Sequence, residues 1–313
     1  MRQVDLDIII PTHGRVFDLT VPCLTLIYEH TRAPFHLIVV DDSTPDLPSG
    51  QDGVPDDTLK HIQRLQIEKD NVTFYHSITP FKCGNEIFNV GLSLGNAPVV
   101  ATIMNSTQVE PDWDIVAMKM FKEWPKVGAI GLKCLKWGWG EKEDGQIECA
   151  GIQLAPDGFS PSDMGRNEPG HRRASTYPVW GLQWAFAMFR REAIEGNLDE
   201  NLYQGFVGWD DIDNTLVVRS KGWEAWYCGL GVGYHRTHAT RGSASNDALL
   251  KNLINGEIFY KRWGLWEKFK ARHPYAQERF PTGVKFIADA SSMPLTLGDI
   301  PDTGVLKVRE EKQ

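Results

Sequence analysis

Strand-like and helix-like patterns alternate through the first third of the chain, and no other feature narrows its fold as much. Val4–Ile10 (VDLDIII) is a short apolar run of the kind that fills a buried strand, and the PTHGR after it reads as a strand-to-helix turn. Residues 16–30 place Leu19, Cys23 and Leu26 at helical spacing. His36–Val40 (HLIVV) is a second β-rich run, closed by Asp41-Asp42-Ser43. A loop marked by Pro and Gly follows (TPDLPSGQDGVPDD), then a helix carrying Leu59, Ile62 and Leu65 and a strand over Val72–Tyr75. Residues 84–95 read as a helix and Pro98–Ile103 as a fourth strand. This alternation predicts a parallel sheet with helices on both faces. Ligands of such sheets bind beyond the carboxyl ends of the strands. That singles out 11–15, 41–43 and the segment after Ile103.

The second half has a different texture. Tryptophans crowd the stretch from Trp137 to Trp226, interrupted by a polar, Gly- and Pro-rich segment over Pro156–Pro178 that reads as a functional or mobile loop. A helical pattern runs from Asn246 to about His273, and no period is evident in the tail from Pro274. The expected layout is one domain over 1–264 and a C-terminal extension over 265–313.

Composition excludes some partners. With 33 Lys+Arg against 41 Asp+Glu the net charge is −8, which argues against broad electrostatic binding of nucleic acid. No apolar run approaches a membrane span. Cys23, Cys83, Cys134, Cys149 and Cys228 are scattered, without metal-site spacing, and fit a reducing compartment. No leader is legible at the start, so the expected location is the cytoplasm, with peripheral membrane contact left open.

Two clusters carry candidate chemistry. Trp209-Asp210-Asp211-Ile212-Asp213 packs three acids into four residues ahead of a helical run. It reads either as an acidic helix N-terminus or as a general base in a cleft with a neighbouring acid to orient an acceptor. GYHRTHATRG brings together His235, Arg236, His238 and Arg241, which suit a diphosphate, a metal or plain solvent. The Asp41–Asp42 pair at a strand end is either a turn and cap or a nucleoside binder.

The order of these signals resembles that of the family-2 glycosyltransferases, collinearly from about residue 5 to residue 264. DIIIPTHGR is similar to that family's opening strand and turn, and LIVVDDST to its second strand and nucleoside-holding acids. CGNEIFNVGLSLGNAPVVATIMNSTQVEPDW resembles the helix, strand and metal-motif segment. WGLQWAFAMFRREAIEGNLDENLYQGFVGWDDIDNTLVVRSKGWEAWY is similar to its most distinctive stretch. His235, Ser243, Asn252 and FYKRWG resemble the closing pattern. The Trp-Asp-Asp-x-Asp version is nearest the rhamnosyl- and galactofuranosyl-transferase branch.

The resemblance implies a GT-A fold, Rossmann-like α/β with a mostly parallel central sheet. The half over 1–110 would bind a nucleotide sugar, and the half over 111–264 the acceptor. It implies inverting transfer of a sugar from a nucleoside diphosphate to an acceptor hydroxyl, with Asp211 as base and Asp210 as its assistant. Donor contacts would come from Pro11, Thr12, Arg15, Asp41, Asp42, Lys82, Asn85, Asn105, Arg236 and Arg241. In place of the metal motif stand Met104, Asn105 and Ser106, so its last acid is missing. A hydroxyl is a poor substitute for a charged oxygen ligand of Mn²⁺ or Mg²⁺. Either cations stabilise the departing diphosphate, or a metal is weakly held by His235 and Asn105. The alternative is a catalytically inactive nucleotide- or glycan-binding module. A nucleotidyltransferase lacks support, since no Gly-rich triphosphate loop is present. The acceptor would be a hydroxyl carrier: polysaccharide, lipid-linked glycan, protein or modified nucleic acid.

Overall fold

The computed structural model describes residues 4–42, 58–138, 140, 142–155, 158, 160–237, 239 and 246–272. Arg241, His238, Ser243, the loop 43–57 and residues 273–313 of the extension lie outside them.

The predicted alternation is present. β1 (Leu6–Thr12) leads through a π-helical turn (Val16–Thr20) into α1 (Val21–His30), β2 (Phe35–Asp41) and α2 (Thr58–Glu68). There follow β3 (Val72–His76), α3 (Gly84–Ser93), β4 (Val99–Ile103), β5 (Thr107–Val109) and α4 (Ile115–Glu123). The second half supplies β6 (Val127–Lys136), β7 (Ile147–Cys149), β8 (Ile152–Leu154), β9 (Pro161–Asp163), β10 (Thr176–Pro178) and β11 (Phe186–Arg190). After the short α5 (Arg191–Ile194) come α6 (Asp210–Ser220), β12 (Glu224–His235), α7 (Asn246–Arg262) and α8 (Trp266–Arg272).

One ten-stranded sheet runs through both halves in the order β10-β12-β6-β11-β4-β1-β2-β3, with β5 paired to β12 and β7 to β6. β3, β2, β1 and β4 are parallel neighbours, whereas β11 lies antiparallel between β4 and β6. Side chains alternate across β1, so its two faces feed two cores. Leu6, Ile8 and Ile10 pack with Ile27 of α1, Ile62 of α2 and Met120 of α4. Ile9 packs with Ile38 and Val40 of β2 and with Ile87, Phe88 and Leu92 of α3. A third cluster joins Ile212 and Leu216 of α6 to Ile258, Phe259 and Trp263 of α7.

Two polar devices fix the frame. At the amino end of the sheet, Asp7 is fully buried and ion-paired to Arg191, whose guanidinium also donates to the carbonyls of Ala97 and Leu92. Asp213, also buried, pairs with Arg262 at 3.0 Å and accepts from Trp263 Nε1 at 2.8 Å, which locks α6 to α7.

Two expectations change. The segment over 156–178 is, where described, not a free loop: β9 pairs with β8, and Met164, Asn167 and Glu168 exchange backbone hydrogen bonds with Gly151 and Ile147. The packed body also runs past residue 264, because Leu265 is buried and Phe269 of α8 stacks on Tyr260 at 4.4 Å. Among the described residues no helix is long and apolar enough to cross a membrane. All five cysteines are buried and unbridged.

Candidate active site

At the carboxyl ends of β1, β2 and β4 lies a cavity of about 1150 Å³. Its lining joins Pro11 and Thr12 at the end of β1, Asp42 after β2 and Asn105 and Ser106 after β4 to Asp210 and Asp211 of α6. Residues far apart in the chain thus meet where strand-end geometry places ligands.

The direction of the two acids is set by the chain entering α6. Gly208 has φ 93° and Trp209 φ 77°, so a bulky residue sits in the left-handed region. Such a conformation costs ~1–3 kcal/mol and persists only where its surroundings over-determine it. Here the indole packs against Phe259 and Tyr260 at 5.2 and 5.4 Å, and Asn252 Nδ2 donates to the carbonyl of Val207 at 2.7 Å. The turn delivers Asp210 against α3: a Cβ added at Gly84 would lie 2.7 Å from Asp210 Oδ2. Asp211 lies half-buried on the cavity wall. Burial is the chief reason its carboxyl is pushed up to about 7, and the charge of Asp210 adds to this. The amides of Ile212, at 2.9 Å, and Trp184 pull in the opposite direction. A base with that pKa is half-ionised near neutrality, where proton acceptance and driving force are balanced. The third acid, Asp213, faces the other way into the α6–α7 contact.

At the nucleoside end the acid pair divides. Asp41 is fully buried and does not reach the cavity: Thr12 Oγ1 donates to its Oδ1 and His76 Nδ1 to its Oδ2, both at 2.8 Å. Asp42 is on the cavity wall, accepts the amide of Phe81 at 2.8 Å and has His13 Nδ1 4.0 Å away. Burial holds its carboxyl above the usual range.

Opposite lies a group that pattern reading did not find. Glu148 on β7 is buried, lines the cavity and accepts from four side chains. Its Oε2 takes His235 Nδ1 at 2.9 Å and Cys134 Sγ at 3.6 Å. Its Oε1 takes Thr237 Oγ1 and, at 3.4 Å, Gln183 Nε2. Burial alone would raise this carboxyl, but the His235, Thr237 and Gln183 contacts outweigh it and hold it down to about 2. Glu148 is therefore an anion at neutral pH and can only accept, so His235 Nδ1 carries a proton. The ligand atoms of Cys134, Glu148 and His235 lie within 4.8 Å of one another. Burial drives the Cys134 thiol well above its ordinary value, and its Sγ donates to Glu148 within this trio. Lys136 and Arg166, also on the cavity wall, pair with Glu143 at 2.9 Å and with Asp163 at 2.6 Å.

The remaining sequence candidates sort by position. Asn105 and Ser106 form the turn between β4 and β5, and Asn105 Nδ2 donates to Thr20 Oγ1 at 3.0 Å. The Ser106 carbonyl accepts the Arg236 amide and Trp137 Nε1, docking the turn on the His235 segment. The Arg236 guanidinium lies over the Trp137 ring, 5.6 Å away, and not on the cavity wall. Arg15 reaches across to the Ala239 carbonyl and to Asp18. Asn85 is buried off the cavity, exchanging amide hydrogen bonds with Asn214 and donating to the Asp199 carbonyl. Lys82 is exposed off the cavity, and its backbone carbonyl accepts the Gly205 amide. Geometry thus gives Asp41 and Asn85 framework positions.

No protein-family model matches the chain. Among curated proteins, it is 24% identical over 247 residues to an uncharacterized protein, y4gI, of Sinorhizobium fredii. That match covers 76% of this chain and 25% of the relative, so the chain spans about a quarter of that protein's length. Among solved structures, GalNAc-T7 with UDP, GalNAc and Mn²⁺ is similar with a TM-score of 0.66 at 12% identity, over 93% of this chain and 54% of that one. Staphylococcus aureus TarS in complex with UDP is similar with a TM-score of 0.53 at 12% identity, over 86% of this chain and 72% of that one. At these identities the likeness establishes the fold, which is GT-A.

Proposed function

We propose that the chain is an inverting glycosyltransferase of the family-2 type. It moves a sugar from a nucleoside diphosphate to an acceptor hydroxyl, with Asp211 as the general base. The observation that carries this reading is the shared cavity: Asp210 and Asp211 line it together with the ends of β1, β2 and β4. Pro11, Thr12 and Asp42 would receive the nucleoside, with Asp42 as the acid that reads a base or ribose donor. The diphosphate would lie along the Asn105–Ser106 turn beside His235. An acceptor hydroxyl bonded to Asp211 loses its proton to that carboxylate as its oxygen attacks the anomeric carbon. The bond from that carbon to the diphosphate breaks on the opposite face, and the nucleoside diphosphate departs with both electrons. Asp210 keeps a negative charge beside the base and helps to position the acceptor.

The donor set favours a cation shared with the diphosphate over one held by the protein alone. It consists of an imidazole nitrogen and neutral oxygens of Asn105 and Ser106, with no carboxylate at the turn. Such a set fits Mn²⁺ or Mg²⁺ only when phosphate oxygens complete it. A bound cation would offset charge developing on the leaving group.

The test is release of nucleoside diphosphate from a panel of nucleotide sugars, with and without acceptor, chelator and Mn²⁺. Asp211→Asn is expected to lower transfer by roughly 10²–10⁴-fold while donor affinity stays within a few fold. Nucleotide binding without turnover of any donor would instead identify an inactive binding module.

A further inference from the structure

Resting on that reading of the cavity, we infer that Glu148 is a positioning residue: its buried carboxylate fixes His235 so that Nε2, and not Nδ1, meets the cation–diphosphate end of the donor. The argument starts from what each atom can still do. Both Glu148 oxygens are occupied, and each of the four side chains that reach them donates. None is left to receive a ligand without breaking this network. His235 Nδ1 is committed to Oε2, whereas Nε2 has no protein partner among the described residues and the ring lies on the cavity wall. The backbone places that ring beside the turn, since His235 pairs with Thr107, one residue beyond Ser106.

The arrangement is built from four separate pieces of chain. β7 contributes Glu148, β6 contributes Cys134, the approach to β11 contributes Gln183, and the end of β12 with the residues just after it contributes His235 and Thr237. A buried anion assembled this way is not needed to hold the sheet, because β6, β7 and β12 are already joined by their ladders. What it adds is orientation of one imidazole. A carboxylate that takes the Nδ1 proton fixes the tautomer and raises the basicity of Nε2 as a ligand.

The test measures binding of nucleoside diphosphates by calorimetry, in the presence of Mn²⁺ or of chelator, across the uridine, guanosine, adenosine, cytidine and thymidine forms. The readout is the factor by which Mn²⁺ tightens the nucleotide that binds. Glu148→Gln keeps the size and a hydrogen-bonding oxygen, and it is expected to cut that factor by roughly 10–100-fold, a larger change than any in metal-free affinity. Thr237→Val, which removes one donor to the carboxylate, should cut it less. The imidazole ¹⁵N shifts give a readout free of ligand: His235 should show a protonated Nδ1 in the wild type and a mixture of tautomers in Glu148→Gln. An unchanged Mn²⁺ factor in Glu148→Gln overturns the positioning role, as does a wild type whose nucleotide affinity ignores Mn²⁺. If no nucleoside diphosphate binds the wild type, the nucleotide reading of the cavity falls and the inference falls with it.

Discussion

The burial that pushes up the Asp211 carboxyl should make it a liability to the fold, and Asp211→Asn exposes this. In the folded chain its carboxyl is pushed from the ordinary 3.8 to about 7. As pH rises from ~4, the unfolded chain gives up this proton first, so between ~4 and ~7 the folded state holds more protons than the unfolded one. Stability therefore falls as pH rises through that window and is level above it. At ~1.36 kcal/mol per pKa unit the full effect would be ~4 kcal/mol. Asp211 is only half-buried on the cavity wall, and screening there reduces the expected effect to ~2 kcal/mol. Asn is neutral at every pH and nearly the same shape. Urea unfolding of wild type and Asp211→Asn should show the variant gaining ~2 kcal/mol on the wild type at pH 8 and about two-fifths of that at pH 5, so that ~1 kcal/mol of the gain develops between the two. Asp213, whose carboxyl burial also pushes up, to about 6, titrates in both proteins and cancels in the difference. A variant that gains nothing between pH 5 and pH 8 refutes the premise that Asp211 is held in an environment hostile to its charge.

Other perturbations separate site from frame. Gly84→Ala should leave the helix folded but push Asp210 aside, because the new methyl meets Oδ2 at 2.7 Å; circular dichroism should be unchanged and transfer should fall roughly 10–100-fold. Asp41→Asn should cost ~1–3 kcal/mol of stability by disturbing Thr12 and His76. Asp42→Asn should weaken nucleotide binding instead, and calorimetry beside urea unfolding will show whether the two losses divide this way. Arg191→Met leaves buried Asp7 without its cation and should destabilise by ~3–5 kcal/mol in the same unfolding assay.

The first half was legible because its information is local. Each of β1 to β4 is a short apolar run bounded by turn residues, and their parallel order follows from the helices between them. The insertion of β11 antiparallel between β4 and β6 was not legible, because it depends on pairing Phe186–Arg190 with two strands remote in sequence. Glu148 was missed for the same reason. Within GQIECAG it is one acid on a short strand, and its meaning comes from Gln183, His235 and Thr237 arriving from elsewhere. A carboxylate alone between apolar residues was the available signal, since burying one demands partners. Asp41 and Asp42 are adjacent in sequence, and only the pleat separates the residue turned toward Thr12 and His76 from the one turned to the cavity.

The acidic run does more than begin a helix. A helix N-terminus tolerates acids, and α6 begins at Asp210. Tolerance does not explain the geometry, however. Asp213 is tied into the α6–α7 contact by Arg262 and Trp263, so rotation of α6 about its axis is fixed by a residue that never meets the cavity. Trp209, held at positive φ by α7, fixes where that axis starts. With both constraints in place, Asp210 and Asp211, each half-buried, lie on the cavity wall, and the charge of Asp210 helps to raise the Asp211 carboxyl. Helix capping alone would be satisfied by acids that splay apart. The strained indole and the buried Asp213–Arg262 pair act together against that splaying, and this is the arrangement that the proposed base role of Asp211 needs.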